Sequence, residues 1–171
     1  VLIQLTSPSV RTYSISAGAL TVVDTDSVGA TPEHVAIHPS GNFLYVVNRG
    51  AGTVSAFSIS AALGTLTLIN TYATIATPFA IAFSGNGKYA YVTGYDTTLM
   101  GSFSVNTVTG ELTYLGSQTI MGMAGNRFLT TDPGGNFLFI AKYSGGQIAV
   151  YSINKSTGAL IPVNVYADPT G

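Results

Sequence analysis

The chain contains no cysteine and no tryptophan. Without thiols it has no disulfide, no thiolate nucleophile and no Cys-type zinc site. Charge is almost as scarce. Only 8% of its 171 residues are Asp, Glu, Lys or Arg, against roughly 25% in an average soluble domain. The net charge is −1, and the six Lys and Arg are scattered. No basic stripe exists to neutralise phosphates, so no nucleic-acid partner is expected. Mean hydropathy is positive, yet no run of about 18 apolar residues occurs, so no helical membrane span is expected. The most apolar stretch, residues 72–83, is broken by Thr74, Thr77 and Pro78. The chain opens at Val1 without a charged segment and apolar core behind it, so no signal peptide is read within it.

What replaces the charge is Ser, Thr, Gly and Asn, beside 10 Tyr and 8 Phe. Charged side chains suit helix surfaces, whereas Thr, Tyr, Phe and Val suit pleated ones. The composition therefore leans towards an all-β fold.

The dominant signal is an internal repeat. Residues 34–48 (HVAIHPSGNFLYVVN), 80–94 (AIAFSGNGKYAYVTG) and 128–142 (FLTTDPGGNFLFIAK) align. Gly41, Gly87 and Gly135 match, as do Tyr45, Tyr91 and Phe139. Phe57, Phe103 and Tyr151 follow, then Gly64, Gly110 and Gly158, in steps of 46 and 48 residues. A partial copy opens the chain, with residues 13–16 resembling 57–60 and residues 18–21 resembling 64–67. Each unit reads as four short strands; in the first full unit they fall near 34–38, 43–48, 53–59 and 65–71. Residues 39–42 and 132–135 are tight-turn sequences, with Gly free to take positive φ.

A four-stranded meander of about 46 residues, repeated, is the signature of a β-propeller blade. The expected organisation is a partial blade at 1–31 lacking its innermost strand, then blades at 32–77, 78–125 and 126–171, about 3.7 in all. Propellers close with about four to eight blades, and an open stack exposes an apolar face at each end. Further blades of a longer parent, or a second copy, are expected to close the ring.

Residues 32–48 (PEHVAIHPSGNFLYVVN) resemble the blade motif of the lactonase-type seven-bladed propellers, the family of bacterial 6-phosphogluconolactonases and fungal carboxymuconate cyclases. Residues 152–160 (SINKSTGAL) are similar to that family's outer hairpin, and the likeness covers essentially the whole chain. Residues 45–48 and 91–94 are also similar to the YVTN repeats of surface and secreted propellers. The resemblance implies a sugar-lactone hydrolase or lactone-binding protein with its site at the central channel mouth. His34 occupies the family's Pro-x-His start of an inner strand, whose histidine faces the cleft. Where the family often places Glu after the second strand, this chain has Arg49, with Tyr95 and Tyr143 in the sister blades.

Propeller ligand sites lie at one mouth of the channel. The aligned positions there are Glu33, Phe79 and Arg127, then His34, Ala80 and Phe128. Glu33 can act as general base for water, His34 can relay a proton and Arg127 can steady an oxyanion or carboxylate; alternatively Glu33 and Arg127 are solvated charges that offset one another. Arg49 is placed to reach an anionic ligand, or is a rim charge. Tyr95 and Tyr143 can stack on a sugar ring, or are aromatic edges between blades. His34 and His38 are too far apart along a strand, about 13 Å, to share a metal. No metal or cofactor is expected, and His38 reads as a turn cap. Lys142 and Asp96 read as surface or blade-to-blade contacts, Asp24 and Asp26 as solvated, and residues 121–125 as a lengthened blade connection.

Two further functions compete with the lactonase one: a non-catalytic YVTN-type binding or scaffold module, and a carbohydrate-binding propeller using Tyr95 and Tyr143. Few charges and abundant Ser and Thr lean towards an extracytoplasmic setting, with the cytoplasm as the alternative.

Overall fold

The computed structural model describes residues 2–6, 8–95, 97–122, 126–142 and 146–167. Four antiparallel meanders follow one another along the chain. The first has three strands, β1 (Leu2–Thr6), β2 (Ser9–Ser16) and β3 (Ala19–Ser27). The second comprises β4 (Pro32–Ile37), β5 (Phe43–Asn48), β6 (Thr53–Ile59) and β7 (Leu66–Ala73). The third comprises β8 (Pro78–Phe83), β9 (Tyr89–Gly94), β10 (Leu99–Val105) and β11 (Leu112–Thr119). The fourth comprises β12 (Asn126–Thr131), β13 (Phe137–Lys142), β14 (Gln147–Ile153) and β15 (Leu160–Ala167). Every pairing runs between strands adjacent in sequence, so each sheet is one blade built from one repeat. The fold is an all-β partial propeller, and no helix among the described residues is long and apolar enough to cross a membrane.

The sheets pack face to face. In β5 every residue is buried, because Phe43, Tyr45 and Val47 point into the core shared with the third blade while Leu44 and Val46 point into the core shared with the first. The same holds for β9, which is also buried throughout. In β13 only alternate residues, Leu138, Ile140 and Lys142, are buried. They face the third blade, and among the described residues no further sheet covers Phe137 and Phe139. Burying one such Val, Leu or Phe side chain stabilises by about 1.5–3 kcal/mol, so the sandwiched strands carry most of the stability.

Hydrogen bonds across the gaps repeat in step with the sequence. Tyr45 Oη donates to the Gly110 carbonyl at 2.8 Å, and Tyr91 Oη to the Gly158 carbonyl at 2.9 Å. Burial and a neighbouring tyrosine push both phenols well above their ordinary pKa, so they stay protonated donors. The glycines concerned have φ near +77° and +73°, and a Cβ at Gly110 would strike Phe43 while one at Gly158 would strike Tyr89. At the next equivalent position stands Phe139, which has no hydroxyl to offer.

Turn chemistry is shared by all three complete blades. His38, Ser84 and Asp132 each precede the first turn and cap it. His38 Nδ1 accepts from the Ser40 N–H at 3.1 Å, and its Nε2 donates to the Gly87 carbonyl of the next blade at 2.9 Å. Ser84 Oγ accepts from the Tyr89 N–H at 3.0 Å. Asp132 accepts from the N–H groups of Phe137 and Asn136, both at 2.6 Å, and from Gly134 at 3.1 Å. The Phe137 bond is the largest of several that hold its carboxyl below the ordinary range. Asp24, expected to be solvated, instead accepts from the Leu66 N–H at 3.0 Å and ties the first blade to the second. Asp26 Oδ2 is buried without a hydrogen bond among the described residues.

Removing the bridging hydroxyls should leave buried carbonyls unpaired. Tyr45→Phe and Tyr91→Phe are each expected to lower the unfolding free energy in urea by about 1–2 kcal/mol. The exposed Tyr114→Phe should change it by less than about 0.5 kcal/mol.

Candidate functional site at the channel mouth

The inner strands β4, β8 and β12 lie side by side, and each starts at the same end of the stack, opposite the end of its second strand. The facing pairs are Pro32 with Asn48, Pro78 with Gly94 and Asn126 with Lys142. Immediately after each of these pairs the register slips, between Pro32 and His34, Pro78 and Ala80, and Asn126 and Leu129. A bulge leaves a residue outside the ladder and re-aims its side chain. Glu33 and Phe79 are the residues so released at this mouth.

The chain that enters each inner strand also fixes the residue after the second strand. The Arg49 N–H donates to the Thr31 carbonyl, and the Tyr95 N–H to the Thr77 carbonyl, both at 2.8 Å. Thr31 and Thr77 sit at φ 51° and 46°, a left-handed conformation that β-branched residues rarely adopt. Strained backbone therefore holds Arg49 and Tyr95 in place at equivalent points of neighbouring blades.

These devices bring six side chains from three blades into one continuous cluster. Glu33 Oε1 pairs with Arg49 Nε at 2.9 Å, both side chains being a quarter to a third exposed. The Arg49 guanidinium carbon stands 4.8 Å from the Tyr95 ring centroid. Tyr95 packs on Phe79 at 5.5 Å between centroids, Phe79 on Phe128 at 5.4 Å, and Phe128 edge-on to His34 at 6.2 Å. Phe128 is 57% exposed, high for a phenylalanine. His34 Nδ1 accepts from the Ile81 N–H at 3.4 Å, which places the proton of the neutral ring on Nε2. Burial lowers the His34 pKa below its ordinary value.

The structure thus joins four of the six residues expected from the sequence: Glu33, His34, Arg49 and Tyr95. Glu33 is paired with Arg49. Arg127, its partner in the solvated-charge alternative, carries a side chain outside the described residues, as are Tyr143, Asp96 and residues 123–125 of the connection. Phe79 and Phe128 were aligned at the mouth as apolar sister positions, but their role as the wall between Tyr95 and His34 was not anticipated. The available signal was the run of ring-bearing residues at aligned mouth positions. Lys142, expected at the surface or in a blade contact, is 6% exposed, and its Nζ has no hydrogen bond among the described residues. Among the described residues no three His, Asp or Glu side chains are grouped to hold a metal ion.

The lowered His34 pKa has a sign that can be checked. The unfolded chain binds the proton more readily, so this contribution to stability is complete above about 6.5 and is lost as pH falls through that value towards the folded pKa. Urea titrations between pH 7.5 and about 5 should show stability falling with acid, and His34→Gln should flatten that slope.

Comparison with known proteins bears on the origin of this site. No curated protein sequence matches the chain. Among solved structures, a candidate 6-phosphogluconolactonase from Bacteroides fragilis superposes with a TM-score of 0.83 at 24% identity, covering 94% of this chain and 49% of its own. A second candidate 6-phosphogluconolactonase, from Bacteroides uniformis, gives 0.84 at 24% identity with the same coverage. The periplasmic gluconolactonase of Pseudomonas aeruginosa gives 0.76 at 22% identity, covering 93% of this chain and 50% of its own. The chain spans about half the length of these proteins, and the likeness establishes the propeller fold. The sequence model of one family matches residues 6–126 and 82–169. With nearly the whole sequence accounted for by that match and by the repeat geometry, the chain belongs to the lactonase family of seven-bladed β-propellers.

Proposed function

We propose that the channel mouth carries part of a site for a sugar-derived lactone, and that the protein hydrolyses it. The observation that supports this is the cluster itself: a carboxylate, a guanidinium, an imidazole and three aromatic rings meet at one rim from three blades. A lactone presents an apolar ring face to aromatic walls and a polarised carbonyl to charged groups. Phe79, Tyr95 and Phe128 supply the first, and Glu33, Arg49 and His34 the second.

Hydrolysis needs water to attack the carbonyl and the ring C–O bond to break, giving a hydroxy acid. Glu33 takes the proton of the attacking water. Arg49 engages Glu33 through Nε, and its two terminal nitrogens are the donors for the oxyanion and then for the product carboxylate. His34 donates a hydrogen bond from Nε2 to the departing ring oxygen, and the proton that Glu33 took from water passes through solvent to that oxygen as the C–O bond breaks. Arg127 and Tyr143 are proposed to extend the site as ligand-binding groups. The apolar side chains exposed on the first sheet (Ile15, Leu20, Val22) and the last (Ile148, Ile161, Val163) are where further blades, of a longer chain or of a second copy, would dock and complete the mouth. A gluconolactonase among the solved structures is periplasmic, in keeping with an extracytoplasmic setting.

One observation favours a second function. Glu33 is already occupied by Arg49 at 2.9 Å, and an ion pair that satisfies both partners serves a binding rim as well as a catalytic one. In that case the propeller binds a lactone, sugar or sugar acid without turnover.

Hydrolysis of glucono-δ-lactone, followed as acid release above the uncatalysed rate, separates the two. Glu33→Gln is expected to reduce the catalysed rate by about 100-fold or more while leaving ligand binding measurable by calorimetry. Equal rates for the two proteins would remove Glu33 from catalysis, and binding without any catalysed rate would establish the second function.

A further inference from the structure

The register of every outer strand slips by one residue, and the residue just past the slip is Asp24, Asn70, Gly116 and Asn164 in turn. Where a side chain exists there, its oxygen accepts from the N–H of the next residue. Asp24 takes the Thr25 N–H at 2.9 Å, Asn70 the Thr71 N–H at 2.8 Å and Asn164 the Val165 N–H at 2.9 Å. Asp24 does more, because its other oxygen, Oδ2, accepts from the Leu66 N–H of the following blade at 3.0 Å. One carboxylate thus bridges two backbone donors across the gap between blades, one oxygen to each.

Between the third and fourth blades the same two donors recur, and the chain supplies no carboxylate to them. Ser117 stands where Thr25 does, and Leu160 where Leu66 does. Leu160 faces Ile153 in its ladder as Leu66 faces Ile59, so its N–H is turned the same way, towards the preceding blade. Gly116 has no side chain to reach either donor. A Cβ built on it would meet nothing within 4 Å. The space beside it is an open groove of about 310 Å³, lined by Gly116, Ser117 and Leu160 together with Ser102, Gln118 and Thr157. That volume is in the range of small-molecule sites, and no acidic side chain is among the described residues that line it.

We propose that this groove binds the carboxylate of a small hydroxy acid, one oxygen on the Ser117 N–H and the other on the Leu160 N–H, in the arrangement that Asp24 makes within the chain. Hydrogen bonds from N–H groups to a carboxylate are roughly twice as strong as neutral ones. The Ser102 and Thr157 hydroxyls and the Gln118 amide line the remainder of the groove and are the partners for the ligand's own hydroxyls. A hydroxy acid is also the class of product that lactone hydrolysis releases. The groove lies along the outermost strands, at the opposite edge of the sheets from β8 and β12, so binding here stands whether or not Glu33 catalyses.

The backbone amide resonances of the nitrogen-15-labelled chain are followed during titration with sodium gluconate at neutral pH and constant ionic strength. Ser117 and Leu160 are expected to shift together along one saturable curve, with a dissociation constant on the order of 1 mM. Thr25 and Leu66, whose N–H groups Asp24 already occupies, are the internal controls and should not move. Sorbitol, which has the hydroxyls and no carboxylate, should move none of the four, and acetate should bind at least about tenfold more weakly than gluconate. Ser117→Pro removes one donor at an edge strand, a setting in which β15 already carries Pro162, and should weaken gluconate by about tenfold or more. Asp24→Gly opens the equivalent pair in the first gap, so Thr25 and Leu66 should then respond to gluconate. Ser117 and Leu160 unmoved throughout the titration, or moved equally by sorbitol, would overturn the proposal. So would undiminished binding by a folded Ser117→Pro, or silence of Thr25 and Leu66 in a folded Asp24→Gly. Acetate binding as tightly as gluconate would overturn the assignment to a hydroxy acid.

Discussion

Everything in this molecule rests on the requirement that a sheet apolar on both faces be covered on both. β5 and β9 have no solvent side at all, so the second and third blades each need a neighbour before and behind. Twisted sheets stacked in this way fan around an axis, which brings the inner strands together at a channel. The tyrosine hydroxyls that cross from Tyr45 to Gly110 and from Tyr91 to Gly158 fix the distance and register of the fan. Such bonds are individually worth about 1 kcal/mol, but they convert non-directional apolar burial into one defined angle between blades.

The site is a consequence of that angle. Glu33, Arg49 and His34 belong to one blade, Phe79 and Tyr95 to the next, and Phe128 to the one after. No single repeat contains the cluster. Bulges at the start of the inner strands release the residues that reach the rim, and the left-handed Thr31 and Thr77 hold the opposing positions. The repeat therefore supplies the scaffold, while the differences between repeats set which side chains meet at the rim. A charge pair, Glu33 and Arg49, stands in the second blade where the third carries the rings of Phe79 and Tyr95, and Lys142 stands where its sisters are Asn and Gly.

The architecture was legible because turn glycines, strand alternation and the 46- and 48-residue spacing all report on local conformation, which one repeat specifies by itself. His38, Ser84 and Asp132 could be recognised as turn caps for the same reason. The mouth was legible as a location, and Glu33, His34, Arg49 and Tyr95 were named from it. Their partners were not. Whether Glu33 meets Arg49 or Arg127 depends on where the bulge turns its side chain, and alignment holds no record of that. Lys142 was expected at the surface or between blades, because its position in the strand allows either an exposed or an inward tail, and only packing against Gly122 selects the second. Asp24 was misread for a similar reason: an outer-strand carboxylate looks solvated until the next blade presents the Leu66 N–H to it.

The central claim is that successive repeats stack face against face, and a single spectrum tests it. Nuclear Overhauser contacts between the ring protons of Tyr45 and Phe83, whose centroids lie 5.0 Å apart across the gap between the second and third blades, should be strong. Contacts between the His38 and Phe83 rings, 5.3 Å apart, should accompany them. Both sets present would establish radial stacking of these two sheets. Their absence in a folded, well-dispersed spectrum, with Tyr45 instead close to strands of its own sheet alone, would contradict the stacking and with it the site at the mouth.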